Sequence, residues 1–272
     1  TGSVEVTNDN SGGLSDASDD VYLGGPLGNT EIDIESSAAA IGIAAVDVDA
    51  LGDFIGNLDL SALAGAFLGP QITGELTQKV TVVAESNDVI STTETEDSVG
   101  SGAVDAVVFA ASVGVAGNLT DGINGADVSS TATGGSVTAL STVGLGDDDD
   151  DDDDALAATL ALAVGVAGGA DSITGDTSIT AVATADDASA TIVVDVLPID
   201  GDYDATAISI AAAVGVAGLV GDIDGGDDAT VTISADATTQ DTTANAIDFA
   251  TSINAAIALG LGAGIEESIN GA

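Results

Sequence analysis

Three segments of the chain alternate large and small apolar residues with a period of two. They are 106–117, 157–168 and 207–218, and each ends in VGVAG. In the third, the large side is Ile208, Ile210, Ala212, Val214 and Val216, and the small side is Ala207, Ser209, Ala211, Ala213, Gly215 and Ala217. A period of two is typical of a β-strand, whereas glycine and β-branched residues disfavour the alternative, a buried alanine-rich helix. The pattern predicts long strands whose large side faces a core and whose small side makes a close, buried contact.

The VGVAG segments recur along the chain and act as anchors of a repeat. They begin at Val113, Val164 and Val214, with a degenerate fourth at Leu259, so the intervals are 51, 50 and 45 residues. A Gly/Asp turn and strands with Thr, Ser and Asp on one face follow each anchor. A period of this length indicates a repeat architecture. We therefore predict an all-β, repeat-built parallel β-helix (β-solenoid) over 103–272, with an extended β-sandwich as the alternative.

The region before the repeats divides into two parts. Residues 1–30 form an acidic Gly/Asp/Ser leader, which is either solvated or carries a strand at 3–7 that docks on a neighbouring subunit. Residues 31–102 form an N-terminal β region with one predicted short helix near 53–68, where apolar residues pair at i,i+4 spacing and Pro70 follows.

The charge balance narrows the choice of partners. The chain has 46 acidic residues and one basic residue, Lys79, which gives a formal net charge of -45. Such a chain repels nucleic acid and anionic membranes, so neither is expected as a partner. Its longest uncharged apolar run, 205–221, is too short and too rich in Ala and Gly to predict a membrane span. The chain also repels itself, and cations are expected to relieve that repulsion.

Because Cys and His are absent, thiolate and imidazole chemistry is excluded, and only oxygen ligands remain for a metal. Carboxylates suit calcium, and two kinds of segment concentrate them. One is the run of eight aspartates at 147–154, and the other is the Gly/Asp turns; the alternatives are a solvated loop and ordinary tight turns. The candidate calcium ligands are Asp147, Asp148, Asp149, Asp150, Asp171, Asp176, Asp222, Asp224, Asp227 and Asp228.

No sequence feature indicates catalysis. No pair of carboxylates stands out among the acids, and the aromatic share is only 2%, which leaves no platform for stacking on sugars. We therefore expect that the chain is not an enzyme, and a secreted hydrolase is a distant alternative.

The combination of an Ala/Ser/Val/Gly strand, a Gly/Asp/Asn turn and a Thr/Val alternating strand resembles the repeats of large secreted bacterial adhesins of the filamentous-haemagglutinin-like group. The resemblance covers 103–272. It implies a right-handed parallel β-helix on the cell exterior.

These observations lead to a functional expectation. The chain is expected to be an extracellular structural protein, a subunit or segment of a self-assembling surface filament, sheath or adhesin that cations stabilise. Its partners would be copies of itself in a head-to-tail homopolymer, and beyond them a host or neighbouring-cell surface. The alternative is a calcium-dependent adhesin module that binds glycans. The expected interface residues are Ser3, Val4, Val6, Ala207, Ser209, Ala211, Ala213 and Gly215.

Overall fold

A computed structural model describes residues 3–9, 15–21, 30–44, 71–95, 102–143, 153–194, 203–226, 229–262 and 264–270. Within these ranges the chain is all-β and contains 21 strands and no helix. The helix predicted near 53–68 lies outside the described residues.

The strands, numbered in chain order, repeat one arrangement in five successive coils. The first coil contains β1 (Ser3–Asp9), β2 (Ser15–Val21), β3 (Thr30–Ala44) and β4 (Gln71–Ile72). The second contains β5 (Lys79–Glu85), β6 (Val89–Thr95), β7 (Gly102–Ala116), β8 (Asn118–Leu119) and β9 (Ile123–Asn124). The third contains β10 (Asp127–Gly134), β11 (Val137–Val143), β12 (Asp153–Ala167) and β13 (Ala170–Thr174). The fourth contains β14 (Ser178–Ala185), β15 (Ala188–Val194), β16 (Tyr203–Ala217) and β17 (Val220–Asp224). The fifth contains β18 (Thr232–Thr239), β19 (Thr242–Asn245), β20 (Phe249–Leu261) and β21 (Ile265–Asn270).

Each strand pairs in parallel with its equivalent in the next coil, which produces four sheets. Sheet A is β1-β5-β10-β14-β18, sheet B is β2-β6-β11-β15-β19, and sheet C is β3-β7-β12-β16-β20. Sheet D is β4-β8-β13-β17-β21, with β9 also paired to β13. Parallel stacking of successive coils is the arrangement of a β-solenoid and not that of an antiparallel sandwich. The structure therefore confirms the predicted all-β repeat fold.

The four sequence anchors lie side by side in sheet C. Val113 pairs with Val164, Val164 with Val214, and Val214 with Leu259. The sequence repeat is therefore the coil repeat of the solenoid. The same order of strands already begins at Ser3, so the described coils extend beyond the predicted array at 103–272 and include parts of both regions placed before it.

The small side chains of the anchor strands face the interior. There they meet alanines of sheet A in a layer whose members are at most 3% exposed. This layer contains Ala110, Ala132, Ala161, Ala163, Ala181, Ala183, Ala185, Ala211 and Ala213. Larger buried side chains fill the interior on either side of the layer, for example Val128 and Ile173 toward sheet D and Val137 and Tyr203 toward sheet B. The interior is thus narrow in its middle and wider toward sheets B and D.

The prediction that the large side of the anchor strands faces the core is wrong up to Val214 but holds at Val216, which is 0% exposed in the interior, because the inward alternation shifts by one residue at Gly215. Ile208, Ile210 and Val214 alternate with buried Ala207, Ser209 and Ala211, and lie half-buried on the outer face of sheet C. The physical reason is the narrow middle of the solenoid: sheet A also presents alanine there, so two sheet faces approach too closely for Ile or Leu on either side.

The first glycine of VGVAG is required by close packing. A Cβ added to Gly165 would lie 2.5 Å from the carbonyl oxygen of Gly215 in the next coil and 2.5 Å from Cγ2 of Ile179 in sheet A. Gly114 and Gly215 stand in equivalent contacts in their own coils. The second glycine of the motif lies at the corner between sheets C and D, where Gly168 has a φ of 110° that disfavours any residue with a side chain.

Candidate functional site

Aspartates at the turns between sheets join neighbouring coils. Asp88 Oδ1 accepts a hydrogen bond from the Ser136 amide at 2.8 Å, and Asp187 Oδ1 accepts one from the Asp241 amide at 3.0 Å. Both pairs lie at the corner between sheets A and B. At the corner between sheets D and A, Asp176 Oδ1 accepts from the Thr230 amide at 3.0 Å. Backbone amides in a turn have no strand partner to accept their hydrogen bonds. The carboxylates at these positions supply the missing acceptors.

The turn aspartates that we predicted as calcium ligands are partly engaged in such hydrogen bonds. Asp222 Oδ1 accepts from the Ser268 hydroxyl at 2.8 Å, and Asp224 Oδ1 accepts from the Gly226 amide at 2.8 Å. Asp176 accepts from Thr230 as above, and Asp171 is exposed on β13. No group of three or more acidic side chains that could hold a metal ion is found among the described residues. The remaining candidates, Asp147, Asp148, Asp149, Asp150, Asp227 and Asp228, lie outside the described residues.

The corner between sheets A and B also concentrates negative charge. Burial raises the pKa of Asp186 above its ordinary value, and the carboxylates of Asp88 and Asp187 raise it further. The backbone of this corner is tied to sheet C, because the Ser209 hydroxyl donates to the carbonyl oxygens of Ala185 at 3.3 Å and Asp186 at 3.2 Å. Position 186 therefore holds an acid whose ionised form the fold disfavours.

The sole basic side chain of the chain makes a surface ion pair. Lys79 Nζ lies 3.8 Å from Asp127 Oδ2 on the next strand of sheet A, and both side chains are more than half exposed. An exposed pair of this kind adds about 0–1 kcal/mol to stability, so it does not offset the charge of the chain.

The expected interface residues occupy two places in the solenoid. Ala207, Ser209, Ala211, Ala213 and Gly215 face the interior, where Ala211 and Ala213 pack against alanines of the chain's own sheet A and Ala207 packs against its sheet B, so their close contact is intramolecular. Ser3, Val4 and Val6 belong to β1, which pairs with β5 of the same chain, and Val6 packs against the interior. The strand expected to be donated to a neighbour is therefore the first strand of sheet A, and only its other edge is available for further pairing.

The fifth coil leaves the interior of the solenoid open at one end. Ala256 is exposed, although its equivalents Ala211 and Ala161 are 0% and 3% exposed in the coils before it. The neighbouring inward positions Ala250, Ser252, Asn254 and Ala258 are exposed as well. Most of the exposed large apolar side chains of the described residues also belong to this coil: Ile247, Phe249, Ile253, Ile257, Leu259 and Ile269. Among the described residues, β18, β19, β20 and β21 each pair on one side only, so their other edges surround the open interior; Phe249, Ile253, Ile257 and Leu259 lie beside it on the outer face of sheet C.

The outer face of sheet C is the feature that sequence reasoning missed, because it assigned these residues to the core. The signal that could have revealed it is the alanine repeat in sheet A, at Ala132, Ala183 and Ala237, which matches the small side of sheet C. Two faces that carry alanine in the second to fifth coils fit each other, and this places the large residues outside.

None of the described ranges contains a helix with the length and hydropathy that a membrane span requires. Comparison of the chain with family models, with curated proteins and with solved structures finds no match in any of the three sets.

Proposed function

We propose that this chain is an extracellular structural protein, a subunit or segment of a self-assembling filament, sheath or adhesin at the cell surface. The observation that carries the proposal is the open fifth coil, whose inward side chains are exposed while those of the coil before it are buried. An end with unpaired strand edges and exposed, small inward side chains is a surface on which a further coil can stack.

The first coil supports the same proposal from the opposite end. Among the described residues, strands β1, β2 and β3 each pair on one side only, with β5, β6 and β7. Since successive coils stack in parallel, the first coil of one copy is suited to stack on the fifth coil of another. Head-to-tail contacts close into a ring only when the rotation between neighbouring copies allows it. In all other cases they generate filaments.

The charge supports an environment rich in cations. With 46 acidic residues and one basic residue, stacked copies meet only where counter-ions screen them. We propose the extracellular location together with the assembly, because the repeats resemble those of secreted adhesins.

The test is a substitution at the open end. In the fifth coil Ala256→Asp places a carboxylate on an exposed inward position, so the single copy tolerates it. Stacking another coil would bury that unpaired charge at a cost of several kcal/mol. Thr238→Asp, an exposed outward position on β18 of the same coil, is the matched control because it adds the same charge outside the stacking surface.

Sedimentation velocity and negative-stain electron microscopy at high salt give the readout. We expect linear assemblies from the unsubstituted chain and from Thr238→Asp, and short or single particles from Ala256→Asp with an unchanged circular-dichroism spectrum. A chain that remains monomeric at every concentration and salt, or an Ala256→Asp variant that assembles like its control, contradicts end-to-end assembly.

A further inference from the structure

The unpaired edges of the first and fifth coils can be compared position by position. In sheets A and C, strand pairing links one residue of every coil into a row that keeps its register from the first coil to the fifth. One row of sheet A begins at Glu5 and ends at Ser234. One row of sheet C begins at Glu35 and ends at Ile253. A first coil that stacked on a fifth coil in this register would bring the two ends of each row together.

Charge distinguishes this junction from the stacking inside the chain. Within the chain Asp33 pairs with Asp105 and Asp154 with Asp204, so acids are neighbours there. At the junction the acids of β1 and β3 would all pair with uncharged residues instead. These pairs are Glu5 with Ser234, Asp9 with Thr238, Glu31 with Phe249, Asp33 with Thr251 and Glu35 with Ile253. Because a chain with 46 acids and one base repels its own copies, two ends that avoid like-charge neighbours are well suited to meet.

A single acid of the fifth coil selects the register. Asp236 is the only acid within β18, β19 and β20, and in this register it pairs with Thr7. A shift of one residue would turn the inward residues outward. A shift of two residues keeps them inward, but it would place Asp236 beside Glu5 in one direction and beside Asp9 in the other. The unshifted register is therefore the one without a pair of acids.

Strand length and residue size agree with the same alignment. Strand β3 has 15 residues and β20 has 13, whereas no other described strand of these two coils exceeds eight, so the long strands stack only on each other. Ala256 and Ala258 are exposed and stand in the rows of Ala38 and Ala40, which are 1% and 4% exposed within the chain. The first coil thus offers small, enclosed residues to the exposed alanines of the fifth.

From these observations we infer that the open fifth coil binds the first coil of a second copy in one fixed register, in which β1 adds to β18, β2 to β19 and β3 to β20. The inference rests on the end-to-end assembly proposed above and specifies its contact. Sheets A, B and C then continue from copy to copy without interruption. Since each copy contributes five coils spaced by about 4.8 Å, the axial rise is about 24 Å per copy.

A disulfide across the junction tests the register. The chain has no cysteine, so Glu5→Cys with Ser234→Cys introduces two thiols, both at exposed positions of sheet A. Within one chain these positions are four coil spacings apart, about 19 Å, whereas across the junction their Cα atoms would be about 5 Å apart, within the range of a disulfide. Glu5→Cys with Thr232→Cys is the matched control, because in the inferred register its Cα atoms are offset by two residues and lie about 8 Å apart, beyond that range.

Both variants are oxidised with diamide under conditions in which sedimentation velocity shows the unsubstituted chain to assemble. We expect a ladder of disulfide-linked oligomers from the Ser234→Cys variant on a non-reducing gel and monomers from the Thr232→Cys variant. Electron micrographs of the unsubstituted assemblies should show a rise of about 24 Å per copy. Assemblies in which neither variant cross-links, in which both cross-link equally, or whose rise differs clearly from this value overturn the register while the end-to-end assembly stands. A chain that stays monomeric under every condition contradicts both.

Discussion

Replacing Gly165 by alanine tests whether the close contact between coils determines stability. The added methyl group would lie 2.5 Å from the Gly215 carbonyl oxygen and 2.5 Å from Ile179 Cγ2, and the first of these atoms is backbone that cannot rotate away. Overpacking of this kind costs about 1–3 kcal/mol. The substitution also reduces the conformational entropy of the unfolded chain, which stabilises the folded state by about 0.4–1 kcal/mol, because the φ at position 165 is compatible with alanine. The net expectation is a loss of about 1–2 kcal/mol.

Gly260→Ala is the matched control, because Gly260 occupies the same position of the repeat in the fifth coil. There a Cβ would meet only the Ile233 carbonyl oxygen at 3.6 Å, an ordinary van der Waals distance. In thermal denaturation followed by circular dichroism we expect Gly165→Ala to lower Tm by about 2–6 °C and Gly260→Ala to leave it unchanged or slightly raised. Equal Tm changes for the two variants would refute the claim that stacking of coils, and not the VGVAG sequence itself, requires the glycine.

Three further outcomes are expected. Asp186→Asn should stabilise the fold near neutral pH and have no effect well below pH 3.8. Burial and neighbouring carboxylates raise the pKa of Asp186 from 3.8, so its ionisation lowers the stability as the pH rises from 3.8 to the raised value, and the full penalty is present above that value; urea denaturation at the two pH values measures the difference. Asp187→Ala should cost about 1 kcal/mol in the same assay, because the Asp241 amide loses its acceptor, whereas Asp187→Asn keeps an acceptor oxygen and should retain most of the stability; equal losses would show that the hydrogen bond is not the cause. Divalent cations should raise Tm at low ionic strength because 46 acids face one base, and a Tm that a chelator leaves unchanged contradicts a role for them.

Much of the fold follows from periodicity alone. The alternation in 207–218 predicted a long strand, and the intervals between Val113, Val164, Val214 and Leu259 predicted coils of about fifty residues. The alternation lies within one segment and the repeat recurs along the chain, so both can be recognised in a single sequence without an alignment. The first coil escaped the sequence analysis because β1 and β2 lie among acidic and Gly-rich residues and lack the anchor motif.

The side of each strand that faces inward was decided by tertiary structure. Period two divides the residues of 207–218 into a large and a small set but does not say which set is buried, because that depends on what the opposite sheet presents. Sheet A presents alanine, so the small set is enclosed and Ile208 and Ile210 lie outside.

By itself, then, the sequence determined an acidic, all-β repeat without thiol or imidazole chemistry, since composition and period are properties of the chain alone. The partners of the turn aspartates and the open end of the fifth coil were decided only when residues about fifty positions apart came together. The hydrogen bond between Asp187 and Asp241 forms only when two coils stack. Likewise, Ala211 is buried and Ala256 exposed only because a coil stacks on the first and not on the second, and no local sequence pattern encodes either difference.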